Sequence, residues 1–111
     1  MKTINNIQEF NTLIESNKPI LLDFYADWCG PCQTMMPTLE NLDEEYKSRA
    51  EIVKINVDQN QELAAQFKVR SIPALFFIKD KKVVTQTQGV QTKAALINIL
   101  DKMDQIEFGQ N

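Results

Sequence analysis

Residues 20–26, Ile-Leu-Leu-Asp-Phe-Tyr-Ala, form a near-continuous apolar run. A half-buried strand alternates apolar and polar residues. A run without alternation fits a strand covered on both faces, which places helices on each side of a sheet. The flanking sequence supplies them. Ile7, Phe10, Leu13 and Ile14 recur at helical spacing behind Asn5 and Asn6, both good cap residues. Asn17-Lys18-Pro19 closes that helix. A longer helix is predicted from about Pro31 to Ser48, with Met35, Leu39, Leu42 and Tyr46 on one stripe and Pro37 as a kink. Ile52 to Val57 reads as a second strand. Asp58 is placed to cap a short helix through Leu63, Ala64 and Phe67. Ala74–Ile78 and Lys82–Gln88 form a hairpin pattern. Thr92 heads a last helix with Ala95, Leu96, Ile99, Leu100 and Met103 on one side. A first strand at Lys2 to Ile4 is weakly indicated. The order is α/β with a mixed sheet, a βαβ half followed by a ββα half. The tail from Asp104 is expected to fray.

At 111 residues the chain is expected to form a single domain over 1–111. Such a chain buries roughly two-thirds of its unfolded surface, on the order of 12,000 Å². That core needs no staple and no metal. The sequence contains no histidine. Ser-His-Asp and Cys-His catalysis, histidine proton relays and histidine metal sites are therefore all excluded. The formal net charge of −3 argues against nucleic acid or an anionic membrane as partner. No stretch approaches the ~18 apolar residues of a membrane span. MKTINNIQEF has no hydrophobic signal core. A cytoplasmic location is expected, or an organelle whose targeting segment was removed, and in a reducing cytosol two cysteines suit chemistry better than structure.

Those cysteines are Cys29 and Cys32, in Trp28-Cys29-Gly30-Pro31-Cys32, between the buried strand and the long helix. Helical i,i+3 spacing puts their Cα atoms ~5 Å apart, inside the disulfide window. Cys29 falls at the helix N-terminus, where free N–H groups and the macrodipole favour an anion. A thiol with a pKa of ~8.5 is only about 3% thiolate at pH 7, and a one-unit depression gives about eightfold more. Pro31 is tolerated because first-turn N–H groups have no helical partner. Cys32, a turn further in, is expected to be sheltered. One exposed attacker and one buried resolver are what disulfide exchange needs. Three other readings stand beside it. A structural disulfide would close a four-residue loop for roughly 2 kcal/mol, against ~3 for fifteen residues. A zinc site would need ligands from two chains. Two unrelated core cysteines are the third alternative.

At this motif the sequence resembles the thioredoxin family. The matching segments are Asp23-Phe24-Tyr25-Ala26-Asp27-Trp28-Cys29-Gly30-Pro31-Cys32, Lys54-Ile55-Asn56-Val57-Asp58, Val69-Arg70-Ser71-Ile72-Pro73, and Gly89 before the last helix. They cover about residues 2–103. The resemblance implies the thioredoxin fold, a mixed sheet of about five strands flanked by four helices. It implies a protein-disulfide reductase, monomeric and without metal or cofactor, recharged by a thioredoxin reductase and acting on disulfide-containing proteins. Cys29 would be the nucleophile and Cys32 the resolving thiol. Members that act as isomerases or oxidases usually carry histidine between the cysteines, and this chain has Gly30-Pro31. Asp23, the one charge in the apolar strand, would exchange a proton with Cys32, since burial raises a carboxyl pKa toward neutrality. Its alternative is a strand-end carboxylate reaching solvent. Lys54 matches a lysine near that carboxylate, and otherwise reads as an exposed strand residue. Trp28, Ile72, Pro73 (with a cis bond) and Gly89 would form an apolar rim for substrate. Trp28 could equally be core, and Gly89 a turn glycine. A thioredoxin-fold binding module acting independently of redox state is the alternative function. Two departures stand out: Gln33 where many members carry a cation, and a turn, Asp80-Lys81-Lys82, without its usual glycine.

Overall fold

A computed structural model describes residues 1–103. The tail from Asp104, and with it the expectation of fraying, lies outside the described residues. Among these residues five strands and four helices follow in the order β1 Lys2–Thr3, α1 Ile7–Leu13, β2 Ile20–Tyr25, α2 Gly30–Glu45, β3 Glu51–Asn56, α3 Gln61–Gln66, β4 Ala74–Lys79, β5 Lys82–Gln88 and α4 Lys93–Met103. The sheet order is β1-β3-β2-β4-β5. β2 lies at the centre, parallel to β3 and antiparallel to β4. Every residue of β2 is buried, which is why its sequence does not alternate.

The two faces of β2 feed two cores. Ile20, Leu22 and Phe24 pack with Phe10 and Leu13 of α1 and Leu63 of α3. Leu21 packs with Met35, Leu39 and Leu42 of α2 and Leu96 and Leu100 of α4. Tyr25, at the carboxyl end of β2, packs with Cys29 and Cys32. Asp23 stands between Leu21 and Tyr25 on their face, because strand side chains repeat every second residue. The first core is aromatic at its edge: the Phe67 ring centroid lies 5.6 Å from Phe10, 5.2 Å from Phe24 and 4.9 Å from Phe76.

Local signals explain most helix starts. The Asn6 side chain accepts from the Glu9 N–H at 2.9 Å, and Glu9 reaches back to the Asn5 N–H at 2.8 Å. Thr92 accepts from the Ala95 N–H at 3.1 Å. α3 departs from the sequence reading. Its cap position is Asn60, with no side-chain cap bond, and Asp58 is engaged elsewhere. α2 stops at Glu45, three residues short of Ser48.

Among the described residues three non-glycines have positive φ: Lys68 at 55°, Asp80 at 51° and Lys81 at 67°. Asp80 and Lys81 are the two-residue loop between β4 and β5, and a type I′ turn requires positive φ at both positions. The turn therefore forms without glycine. Lys68 follows α3, where the Val69 N–H bonds the Ala64 carbonyl and the Lys68 N–H bonds the Ala65 carbonyl, each at 3.0 Å. This is a Schellman ending with lysine in the usual glycine place. The left-handed conformation costs an L-residue roughly 1–2 kcal/mol.

Candidate active site

β2 runs out of apolar residues at Ala26, and the chain turns there with the Cys29 N–H on the Ala26 carbonyl at 3.2 Å. Cys29 then caps α2. Its backbone is extended, and its sulfur accepts the Cys32 N–H at 3.2 Å. A serine or aspartate oxygen usually fills that role at a helix start. Gly30 and Pro31 occupy the first two helical positions, where the missing proline donor leaves no helical bond unmade. Cys29 and Cys32 are joined as a disulfide with Cα atoms 5.2 Å apart. Cys29 is 4% exposed and Cys32 0%, so both are buried in the disulfide form: the exposed attacker expected from the spacing is not seen there, and Cys29 is only the less enclosed of the two.

Loops distant in sequence complete the site. The Cys29 sulfur lies 3.8 Å from the Ile72 carbonyl oxygen, a contact that a thiol can convert into a donated hydrogen bond and a disulfide cannot. The Ile72–Pro73 bond is cis. The Pro73 carbonyl accepts the Gly89 N–H at 2.9 Å. Gly89 has φ +81°, a conformation suited to glycine. Trp28 is 72% exposed, which removes the core alternative for it. Its Nε1 donates to Asp58 Oδ2 at 2.9 Å. Trp28, Val57, Val69, Arg70 and Ile72 line a cleft of about 200 Å³.

Asp58 was assigned to helix capping by sequence and instead holds the indole. The Asn56 side chain aims it, accepting the Asp58 N–H at 2.8 Å and the Gln59 N–H at 3.3 Å. A signal for this pairing existed. Tyr25 and Asn56 are register partners at the ends of parallel strands, so the loops that follow must meet. Met36, half-buried against the cysteines, was also missed. It lies off the stripe of Met35, Leu39, Leu42 and Tyr46, and only the placement of the disulfide shows what it covers. Gln33, in place of a cation, donates weakly to the Ala26 carbonyl at 3.4 Å.

Asp23 is fully buried, and neither carboxyl oxygen has a hydrogen-bond partner. Loss of water pushes its pKa up from 3.8 to about 7, against the opposing pull of Lys54. Lys54 is its register partner on β3, half-buried, with Nζ 5.4 Å from the centre of the Tyr25 ring. The strand-end alternative, a carboxylate reaching water, is thereby removed. Asp23, Tyr25 and the cysteine pair lie along one side of the sheet.

The thioredoxin family model matches residues 2–102. The chain is 44% identical over 99 residues to a thioredoxin of Haemophilus influenzae, spanning 89% of this chain and 92% of that protein. It is 47% identical over 83 residues to a thioredoxin of Bacillus subtilis, spanning 75% and 80%. Among solved structures, the thioredoxin of Fasciola hepatica matches with a TM-score of 0.85 at 33% identity, covering 93% of this chain and 99% of that one. A mutant thioredoxin of Halobacterium salinarum matches with a TM-score of 0.87 at 35% identity, covering 96% and 92%. With a cysteine pair at disulfide distance on a helix start, in a five-stranded mixed sheet flanked by four helices, the chain belongs to the thioredoxin family of thiol–disulfide oxidoreductases.

Proposed function

We propose that the chain reduces disulfides in other proteins, with Cys29 as nucleophile and Cys32 as resolving thiol. The observation that carries this reading is the Cys32 N–H directed at the Cys29 sulfur while Cys32 itself is closed off from solvent. A hydrogen bond to the anionic form stabilises a thiolate at Cys29, the less enclosed of the two sulfurs. The Cys29 thiolate attacks one sulfur of a substrate disulfide. That bond breaks, a mixed disulfide forms, and the other substrate sulfur leaves as a thiolate. Cys32 passes its proton to the Asp23 carboxylate and attacks the Cys29 sulfur. The mixed disulfide breaks, the Cys29–Cys32 disulfide forms, and the substrate has gained two electrons. A thioredoxin reductase returns them. Lys54 offsets the Asp23 charge, Gly30 and Pro31 shape the helix start, and no metal or cofactor takes part.

Trp28, Ile72, Pro73 and Gly89 form the surface on which substrate backbone docks. We read the chain as a single-domain monomer of the cytoplasm without nucleic-acid partners. Its negative net charge argues against a nucleic-acid partner, and among the described residues no helix is long and apolar enough to cross a membrane. The test is reduction of a model protein disulfide coupled to NADPH and a thioredoxin reductase. Catalytic turnover is expected, and a single stoichiometric burst without turnover would refute reductase recharging.

Asp58 is a positioning residue in this scheme. Asp58→Ala frees the indole of Trp28, and kcat/KM for a protein disulfide is expected to fall about fivefold, or about 1 kcal/mol, the net worth of one solvent-exposed hydrogen bond. Reduction of a small aromatic disulfide, which does not lean on the rim, is expected to change less than twofold. Equal losses on both substrates would show that Asp58 acts on the cysteines instead.

A further inference from the structure

Lysine is an unfavourable choice at both Lys68 and Lys81. Each has a positive φ, and a lysine side chain has no short polar group to compensate locally as asparagine or aspartate does. Glycine is the cheaper residue for a Schellman ending and for a type I′ turn. The two lysines are more than ten residues apart in sequence, yet both stand on the rim of one groove of about 570 Å³, within the ~300–1,000 Å³ of ligand sites. Its floor is apolar, built from Phe10, Phe67 and Phe76, with Val83 51% exposed beside them. Residues held in costly backbone conformations cluster where function needs their side chains.

We infer that this groove is a second docking site, which takes an extended segment of a polypeptide partner carrying acidic residues beside apolar ones. The charge complement is specific. Among the described residues Lys68 has no ion-pair partner, and Lys81 shares only an exposed pair with Glu15 at 3.1 Å, weak enough for a ligand carboxylate to displace. The backbone complement is present as well. Among the described residues β5 is the last strand of its sheet, so one edge of its N–H and C=O groups faces no strand there. The groove ends at Gln88, the chain neighbour of the rim residue Gly89. A protein whose disulfide lies at Cys29 can lay a neighbouring segment along it. That the partner is a redox substrate rests on the exchange reading above; the binding itself does not.

The test uses the oxidised full chain and two fluorescent hexapeptides, one alternating glutamate with phenylalanine and one alternating lysine with phenylalanine. The glutamate peptide is expected to bind at least about tenfold tighter by anisotropy. Lys68→Gly and Lys81→Gly are each expected to weaken it about fivefold while raising Tm by roughly 4 °C. Lys68→Glu is expected to reverse the preference between the peptides. Trp28→Ala is expected to leave binding unchanged. Reduction of a small aromatic disulfide is expected to be the same in all lysine variants. Equal binding of the two peptides would overturn the proposal. So would binding lost in Trp28→Ala but kept in the lysine variants, because the peptide would then occupy the exchange rim. A chain that binds the glutamate peptide selectively and reduces no disulfide would overturn the reductase reading and leave the groove standing.

Discussion

Replacing Cys29 with serine is expected to lower reductase-coupled disulfide turnover by at least about a thousandfold, to background. The hydroxyl is not ionised at neutral pH and is a far weaker nucleophile than a thiolate. Nothing else at the site can substitute, since Cys32 is closed to solvent and the chain has no histidine. Cys32→Ser is expected to behave differently. Attack by Cys29 still occurs, but the mixed disulfide has no resolving thiol. A covalent species with substrate should then accumulate on a non-reducing gel and vanish on adding a small thiol. Peptide mapping should place the link at Cys29. Unchanged turnover in Cys29→Ser would remove Cys29 from the reaction, and a trapped link at residue 32 of a Cys29→Ser chain would invert the two roles. Both variants are expected to keep the fold, because the disulfide closes a four-residue loop that contributes only roughly 2 kcal/mol.

Asp23→Asn is expected to stabilise the protein and slow it. The folded chain holds the Asp23 proton up to about pH 7, while an unfolded aspartate loses it near pH 4. Between those values the native state binds more protons than the unfolded state. Stability therefore falls as pH rises through that window, and is unaffected by this group below it. Three pH units at about 1.4 kcal/mol each give a loss of about 4 kcal/mol by pH 8. Asparagine carries no charge and loses none of this. Denaturant unfolding of oxidised protein should show the variant about 4 kcal/mol more stable at pH 8 and equal to wild type near pH 4. In the same variant, release of substrate from the Cys29 mixed disulfide should slow about tenfold or more, because Cys32 lacks its proton acceptor. A stability difference that stays constant from pH 4 to 8 would show that Asp23 does not titrate in this window.

Much of this was written in local spacing. The unbroken apolar run of β2 announced a central strand. The i,i+3 cysteines announced a pair on one helix turn. Asn6 and Thr92 announced their helices by short-range bonds that hold in any fold. Asp58 misled for the same reason. It follows a strand and precedes a helix, so a local reading makes it a cap, whereas its carboxylate goes to an indole thirty residues away. Lys81 stood out only as part of a turn without its usual glycine, and Lys68 at positive φ carried no mark at all, since no side-chain pattern identifies a residue that tolerates strain for the sake of where it points.

The sequence by itself determined the elements, their order, the cysteine chemistry and the exclusion of histidine mechanisms, because each depends on residue identity or on spacings of four residues or fewer. The tertiary structure alone decided which groups meet. It placed the Ile72 carbonyl beside Cys29, tied Trp28 to Asp58, stripped both Asp23 oxygens of partners and gathered Lys68 and Lys81 on one groove. Those relations follow from strand order and loop packing. They are set by the burial of two cores on opposite faces of one sheet, which no short window of sequence contains.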